Sequence, residues 1–267
     1  MHLTRTPNHS HDGSKLKTNS GDIEIIGVSG LPLIEPGDRL TDMILELVER
    51  NHQTIAKGDI VVVAHTVVSI AEGKIVQSAN VIVSPKAEKT ALLTGQKPQK
   101  IQTALNEASD IIREDPVLIT RTKHGIITDM SGIDESNAPL GHYVLLPENP
   151  DRSANQISAT LTERLGFEVP VLIADTQGRP WRRGAVNIAI GLSGMSPFTE
   201  NEGVRDLYGR ELRSSLVCIA DELAAAAELV MGQANEGIPV AIIRGIRWVD
   251  STKTAKDILR VDSENLF

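Results

Sequence analysis

Cysteine is nearly absent from this chain: Cys218 is the only one in 267 residues. One thiol excludes an intrachain disulfide and any cysteine-ligated metal cluster. Its apolar, helix-like surroundings point to a small buried core residue rather than a nucleophile. Aromatic residues make up only 3%, so the core must rest on Val, Ile, Leu and Ala. No apolar run is long enough to cross a bilayer. Residues 1–20 are polar and lack the apolar segment of a secretory signal. They read as a solvated, mobile leader in spite of His2, His9 and His11, and the cytoplasm is the expected compartment. Positive charge is also scarce. A net charge of −8 offers no bulk attraction for nucleic acid, so a polyanionic ligand must be held by local Arg or Lys groups or by metal. The G-x-x-x-x-G-K-[ST] phosphate loop is missing, as is the Asn-Lys-x-Asp guanine-reading pattern of common GTPases. Any nucleotide site must therefore be of another kind.

The hydrophobic fraction, 40%, is that of a globular protein, and the length suffices for one large domain or two small ones. Asp22 to Val28 alternates as a strand. Leu40, Met43, Ile44, Leu47 and Val48 form one helical stripe. The Val- and Ile-rich run Asp59 to Val68 predicts a buried strand, and Asn80 to Ser84 a short one. Helical stretches follow around Lys86 to Leu93 and Pro98 to Arg113. Val117 to Thr122 and Gly125 to Thr128 read as a hairpin joined at Lys123-His124. Met130 to Pro139 is a loop and Tyr143 to Leu146 a strand. Asp151 is placed to cap a helix running to Leu165. Val169 to Ala174 is a buried strand ending at Asp175, and Asn187 to Leu192 is apolar. Ser214 or Ser215 opens a long helix that ends near Gly232, and Ile238 to Ile243 is the last strand. This is a mixed α/β (α+β) pattern with no internal repeat, too irregular for a Rossmann or barrel fold. It divides into a domain over 21–249 and a polar C-terminal tail over 250–267.

The sharpest chemical segment is Asp175-Thr176-Gln177-Gly178-Arg179-Pro180-Trp181-Arg182-Arg183-Gly184. A buried strand delivers Asp175 at its end, where ligands of α/β proteins sit. Asp175 and the Thr176 hydroxyl are hard oxygens suited to Mg²⁺ or Mn²⁺. Arg179, Arg182 and Arg183 suit phosphate or carboxylate. An Asp-capped turn with solvated arginines is the alternative. A second acidic loop, Ser131 to Asn137, could add a carboxylate to a shared metal site, or form an ordinary Asx turn. Between helix and strand, Met231, Gly232, Gln233, Ala234, Asn235, Glu236, Gly237 and Ile238 could wrap a phosphate or base, although Gly232 also suits a plain helix stop. Leu31, Pro32, Leu33 and Ile34, with His65 and Thr66, could hold a base. Taken alone, His65 reads as a satisfied strand residue.

The blocks GLPLIEPGD, HTVVS–AEGK, GIDESNAPLG, DTQGRPWRRG, AIGLSG, DLYGREL, ADELAAAAELVMGQ and GIPVAIIRG run in order from about Ile25 to Gly245. Together they resemble the coenzyme F(420):L-glutamate ligase family. The resemblance implies the family's own mixed-sheet fold, neither Rossmann nor P-loop, and an intertwined homodimer. It implies two divalent metals per site, Mg²⁺ or Mn²⁺, accompanied by K⁺. Asp134 and Asp175 then correspond to ligands of the first metal, and Thr176 and Gln233 to ligands of the second. Leu31 to Ile34, His65, Thr66, Asn137 and Met231 to Ile238 correspond to GTP contacts. The implied reaction is GTP-dependent ligation of L-glutamate to the deazaflavin coenzyme precursor F(420)-0 through an acyl phosphate, with no nucleic acid or membrane partner. No further catalytic residue is assigned.

Two positions depart from the family pattern. Ile70 stands where relatives carry a GTP-contacting lysine, and an isoleucine cannot replace a cation. Lys74 and the arginines of 179–183 are the candidate substitutes. Gln233 replaces an acid found in some relatives, yet keeps a neutral oxygen ligand. The rival readings are an amide ligase of the same scaffold with another carboxylate or nucleotide, a catalytically inactive nucleotide-binding protein, and a metal-dependent phosphohydrolase.

Overall fold

The computed structural model describes residues 21–266, so the expected polar leader over 1–20 lies outside the described residues. In chain order the elements are β1 (Glu24–Val28), α1 (Leu40–Arg50), β2 (Ile60–Ala64), α2 (His65–Ala71), β3 (Ile75–Gln77), α3 (Pro85–Thr94), α4 (Pro98–Glu107) and β4 (Ala108–Arg113). They continue with β5 (Ile119–Thr122), β6 (Ile127–Asp129), β7 (His142–Val144), α5 (Pro150–Leu165), β8 (Val171–Arg179), β9 (Arg182–Ser193), β10 (Phe198–Glu200), β11 (Leu216–Cys218), α6 (Ile219–Met231) and β12 (Val240–Arg244).

The main sheet has the order β1-β12-β2-β8-β9. Only β2 and β8 pair in parallel; the other neighbours are antiparallel. Alternation along the central strands feeds two cores. Val61, Val63, Val171, Ile173, Val240 and Ile242 face α1, α2 and α5. Ile60, Val62, Leu172, Ala174, Ala241 and Ile243 face α6, whose Ala220, Leu223, Ala224 and Ala227 let it approach the sheet closely. A third, separate core joins α3 and α4 to the β4-β5-β6 sheet around Leu118, Met130 and Tyr143. The molecule is thus a mixed α/β structure with several sheets. Tyr143, at 2% exposure, is the one aromatic among the largest fully buried side chains. Elsewhere aliphatic burial, about 1.5–3 kcal/mol for each fully buried large side chain, carries the core.

Several local expectations need correction. The predicted strand from Asp59 to Val68 stops at Ala64, and His65 opens a helix. That helix is itself buried, so its β-branched residues imitate strand composition. Asn80 to Ser84 forms no ladder; it leaves a 3₁₀ turn, and Ser84 caps α3 by accepting from the Ala87 N–H. The helix from Pro98 ends at Glu107, where β4 begins. Asn149, not Asp151, caps α5. The final helix begins at Ile219, so Cys218 closes a short strand instead of lying within a helix. The hairpin around Lys123-His124 is present as the antiparallel pair β5-β6.

Asp151 has a different task. Its carboxylate accepts from the Leu192 N–H at 2.9 Å on β9, and from the Ala255 N–H at 2.9 Å and the Lys256 N–H at 3.3 Å. Those last bonds hold the polar segment after Asp250 against the body, with Ala255 buried. Two more carboxylates serve the same outer edge of β9. Asp221 accepts from the Ala189 N–H and Glu228 from the Asn187 N–H, both at 3.0 Å.

Candidate functional site

The sequence expects the strand that carries Asp175 to end there. In the structure β8 runs on to Arg179 and pairs with β9 through Thr176↔Asn187 and Arg179↔Arg182. Its other partner, β2, does stop, at Ala64↔Ala174. Asp175 therefore sits where the five-stranded sheet narrows to a two-stranded arm. The chain leaving β2 turns at once into α2, which places His65 beside Asp175.

His65 is 3% exposed. Its Nε2 lies 3.1 Å from Asp175 Oδ1 and 3.6 Å from Asp134 Oδ2. Burial alone would lower the imidazole pKa, but the Asp175 and Asp134 carboxylates facing it outweigh that and push it up to about 10. Burial works against ionised Asp134 as well; the His65 contact and the Ser136 hydroxyl prevail and hold it below the usual carboxylate range. Asp134 is brought in by its backbone bridge to Val144. Two carboxylates on loops and strands 41 positions apart thus converge on one imidazole.

The next residue along β8 opens a second cluster. Thr176 Oγ1 donates to Asn187 Oδ1 at 2.7 Å, and Gln233 Nε2 donates to Thr176 Oγ1 at 2.8 Å. Gln233 Oε1 stands 3.0 Å from Thr176 Oγ1. The other Gln233 N–H reaches Glu228 Oε1. Asn187 is buried, at 6% exposure. Gly232, just before Gln233, has φ +71°. A Cβ there would lie 2.2 Å from Glu236 Cδ, whose carboxylate in turn accepts from the Ala234 N–H at 2.8 Å. The backbone at Gly232, with φ +71° and ψ −178°, requires glycine, and the exposed Glu236 side chain folds over it.

Asp134 and Asp175 thus meet at His65, and Thr176 and Gln233 form a second cluster, the two adjoining through successive residues of β8. The sequence reading missed Asn187 and Glu228. An amide within the apolar run Ala185 to Leu192 was the available signal for the first; the second, an acid on a helix face, carried none. The remaining candidates are placed as follows. Leu33 is 96% exposed while Ile34 is buried beside α2. Leu31 packs on the same core as Ile34, and Pro32 is exposed. Thr66 lies in the first turn of α2. Asn137 is exposed, with φ +53°. Ala234, Asn235, Glu236 and Gly237 form an exposed loop between buried Met231 and half-buried Ile238. Arg182 and Arg183 are exposed on the β8-β9 arm, whereas Arg179 braces that arm by donating to the Gly184 and Arg183 carbonyls at 3.2 and 2.8 Å. Ile70 is core, at 6% exposure, and Lys74 pairs with Glu148.

Among the described residues no three His, Cys, Asp or Glu are grouped so as to hold a metal, and no helix is long and apolar enough to cross a membrane. What the two adjoining clusters present is oxygen: two carboxylates at His65 in one, a hydroxyl and two amides in the other. The family model of F(420)-0:gamma-glutamyl ligase matches residues 30–245. Coenzyme F(420):L-glutamate ligase of Methanothermobacter thermautotrophicus is 44% identical over 92% of this chain and 98% of its own length. The proteins of the same name from Methanopyrus kandleri and Archaeoglobus fulgidus are 42% and 37% identical, each over 92% of this chain and over 99% and 96% of their own lengths. With the family model spanning most of the chain and these identities running nearly end to end, the chain belongs to the F(420)-0:gamma-glutamyl ligase family and is a ligase forming carbon–nitrogen bonds.

Proposed function

We propose that this protein ligates L-glutamate to the deazaflavin precursor F(420)-0 at the expense of GTP, with its divalent ions held by Asp134, Asp175, Thr176 and Gln233. The observation that carries this reading is the meeting of those four residues, drawn from three separate segments, in two pairs that adjoin through successive positions of β8: Asp134 with Asp175 at His65, and Thr176 with Gln233. The donor chemistry fits: all four offer hard oxygens. Adjacent ligands of an octahedral ion with bonds of about 2.1 Å lie roughly 3.0 Å apart, and Thr176 Oγ1 and Gln233 Oε1 are separated by 3.0 Å. Bound there, Mg²⁺ or Mn²⁺ would neutralise the nucleotide phosphates.

In this reading the γ-phosphoryl group of GTP passes to the terminal carboxylate of F(420)-0, releasing GDP. The α-amino group of L-glutamate attacks the acyl phosphate. The amide C–N bond forms, a proton leaves the amine, and inorganic phosphate departs; a second cycle can extend the chain through a γ-carboxylate. Arg182 and Arg183 on the exposed arm are suited to the substrate's phosphodiester or carboxylates. The loop from Met231 to Ile238, the segment Leu31 to Ile34, His65, Thr66 and Asn137 make up the nucleotide side. An intertwined homodimer belongs to the proposal. Its support is apolar surface, with Leu207 and Tyr208 at a hairpin tip 102% and 92% exposed.

The test gives purified protein F(420)-0, L-glutamate, Mn²⁺ and GTP, with and without K⁺ and with an ATP control, and follows mass gain. Glutamyl additions that require nucleotide and metal support the reading; phosphate release without glutamate would replace it with a phosphohydrolase. Ile70 favours a second reading, a ligase of the same scaffold with a changed nucleotide. Its side chain lies in the core, so no cation stands at that position to meet a phosphate. Ligation with ATP in preference to GTP would select that reading.

A further inference from the structure

The Gln233 side chain is an amide whose two ends have nearly the same shape, and only its partners decide which end faces the site. One partner settles the matter. Glu228, a turn earlier on α6, presents a carboxylate that accepts and cannot donate as an anion. Its Oε1 receives the Gln233 Nε2 proton, while its Oε2 is anchored by the Asn187 backbone N–H at 3.0 Å. The NH₂ group is thereby held between Glu228 and the Thr176 oxygen, at 2.8 Å from the latter, and Oε1 is left as the free end, 3.0 Å from Thr176 Oγ1. The Thr176 proton has a nearer acceptor in Asn187 Oδ1, at 2.7 Å, than in Gln233 Oε1, at 3.0 Å. The hydrogen bonds close into a ring through Glu228, Gln233, Thr176 and Asn187, and it leaves the Thr176 and Gln233 oxygens side by side with lone pairs free.

We propose that Glu228 is a positioning residue for this site: by fixing the orientation of the Gln233 amide and the edge of β9 at Asn187, it keeps two oxygen donors turned toward a divalent cation. This rests on the reading that Thr176 and Gln233 serve the metal. It also explains how a neutral glutamine can serve there. The acid that defines its orientation stands one bond behind it.

A double-mutant cycle on the full chain tests the inference. Mn²⁺ is titrated by electron paramagnetic resonance, with and without GDP, and ligation is measured as kcat and KM for Mn²⁺. Glu228→Gln is nearly isosteric and keeps an acceptor for the Asn187 N–H, so the fold is retained, which circular dichroism checks. With glutamine at 233, that change allows the amide to turn, and Mn²⁺ affinity falls about tenfold, as the loss of an outer-shell partner does. In the Gln233→Glu protein the same Glu228→Gln change costs threefold or less, because a carboxylate presents oxygen whichever way it turns. An equal loss in both backgrounds, or none in either, overturns the positioning role while leaving the metal reading intact. If the unmodified protein binds no Mn²⁺ under either condition, the metal reading fails and this inference falls with it.

Discussion

Replacing Thr176 with valine removes one hydroxyl from the hydrogen-bond ring and changes little else in volume. In the folded protein that hydroxyl gives its proton to Asn187 Oδ1 and takes one from Gln233 Nε2. Asn187 is 6% exposed, and after the change its Oδ1 keeps only the longer contact to Gln233 Nε2 at 3.3 Å. A buried acceptor stripped of its main donor costs about 1–3 kcal/mol. Because Gln233 can swing toward it, about 1–2 kcal/mol is the expected net loss. At roughly 2–4 °C per kcal/mol for a chain of this size class, the melting midpoint should fall by several degrees. Thr176→Ser is the control. It keeps the hydroxyl and forfeits one methyl, worth at most about 0.8 kcal/mol in a half-buried position. Both variants are melted in chelator, so that metal plays no part, and are then titrated with Mn²⁺. Valine should lower both the midpoint and Mn²⁺ affinity, and serine should stay near the parent in each. A valine variant as stable in chelator as the parent would refute the ring as a source of stability, and one that also binds Mn²⁺ normally would remove Thr176 from the ligand set.

Three further outcomes follow from other parts of the structure. Asp59, 2% exposed, receives the Ala56 N–H at 2.8 Å and the Arg244 guanidinium at 2.9 and 2.8 Å; Asp59→Ala should destabilise by about 2–3 kcal/mol in urea titration, somewhat under the full cost of breaking a buried pair because Arg244 is partly solvated. Gly191→Ala would place a Cβ 2.4 Å from the Pro150 carbonyl oxygen, forcing α5 off β9 at a cost of about 1–3 kcal/mol or more, and a normal melting curve would show that the contact yields freely. Burial, aided by the Asp221 charge, pushes the Cys218 thiol up to about 12; since only the thiolate reacts, a disulfide reagent at pH 8 should label the native protein far more slowly than the urea-unfolded chain.

The candidate metal ligands Asp175 and Thr176 could be singled out because their chemistry is concentrated: an acid and a hydroxyl at successive positions after an apolar run. Asp134 could be paired with them only as one option, since the bridge to Val144 that brings it in is a long-range contact. Asn187 and Glu228 stand 41 positions apart and meet only through the packing of α6 on β9, which no local pattern encodes. Element boundaries failed for a related reason. The run Asp59 to Val68 has the composition of one buried strand, yet the chain turns into a helix at His65, and a helix with no fully exposed residue has no polar stripe to reveal its period. Ser214 and Ser215 looked like helix caps by residue type, but the short strand β11 intervenes, and α6 starts at Ile219.

The carboxylates along β9 have a consequence for how the molecule behaves in a crowded solution. An open sheet edge is a template on which another chain can grow, and many proteins guard it with proline, lysine or a bulge. Here Glu228, Asp221 and Asp151 occupy the outward N–H groups of Asn187, Ala189 and Leu192 one by one. A foreign strand arriving at that edge would find its carbonyls opposed by negative charge and no free donors to recruit at those three positions. The same acids that order the strand thus leave those three N–H groups with nothing to offer an incoming strand.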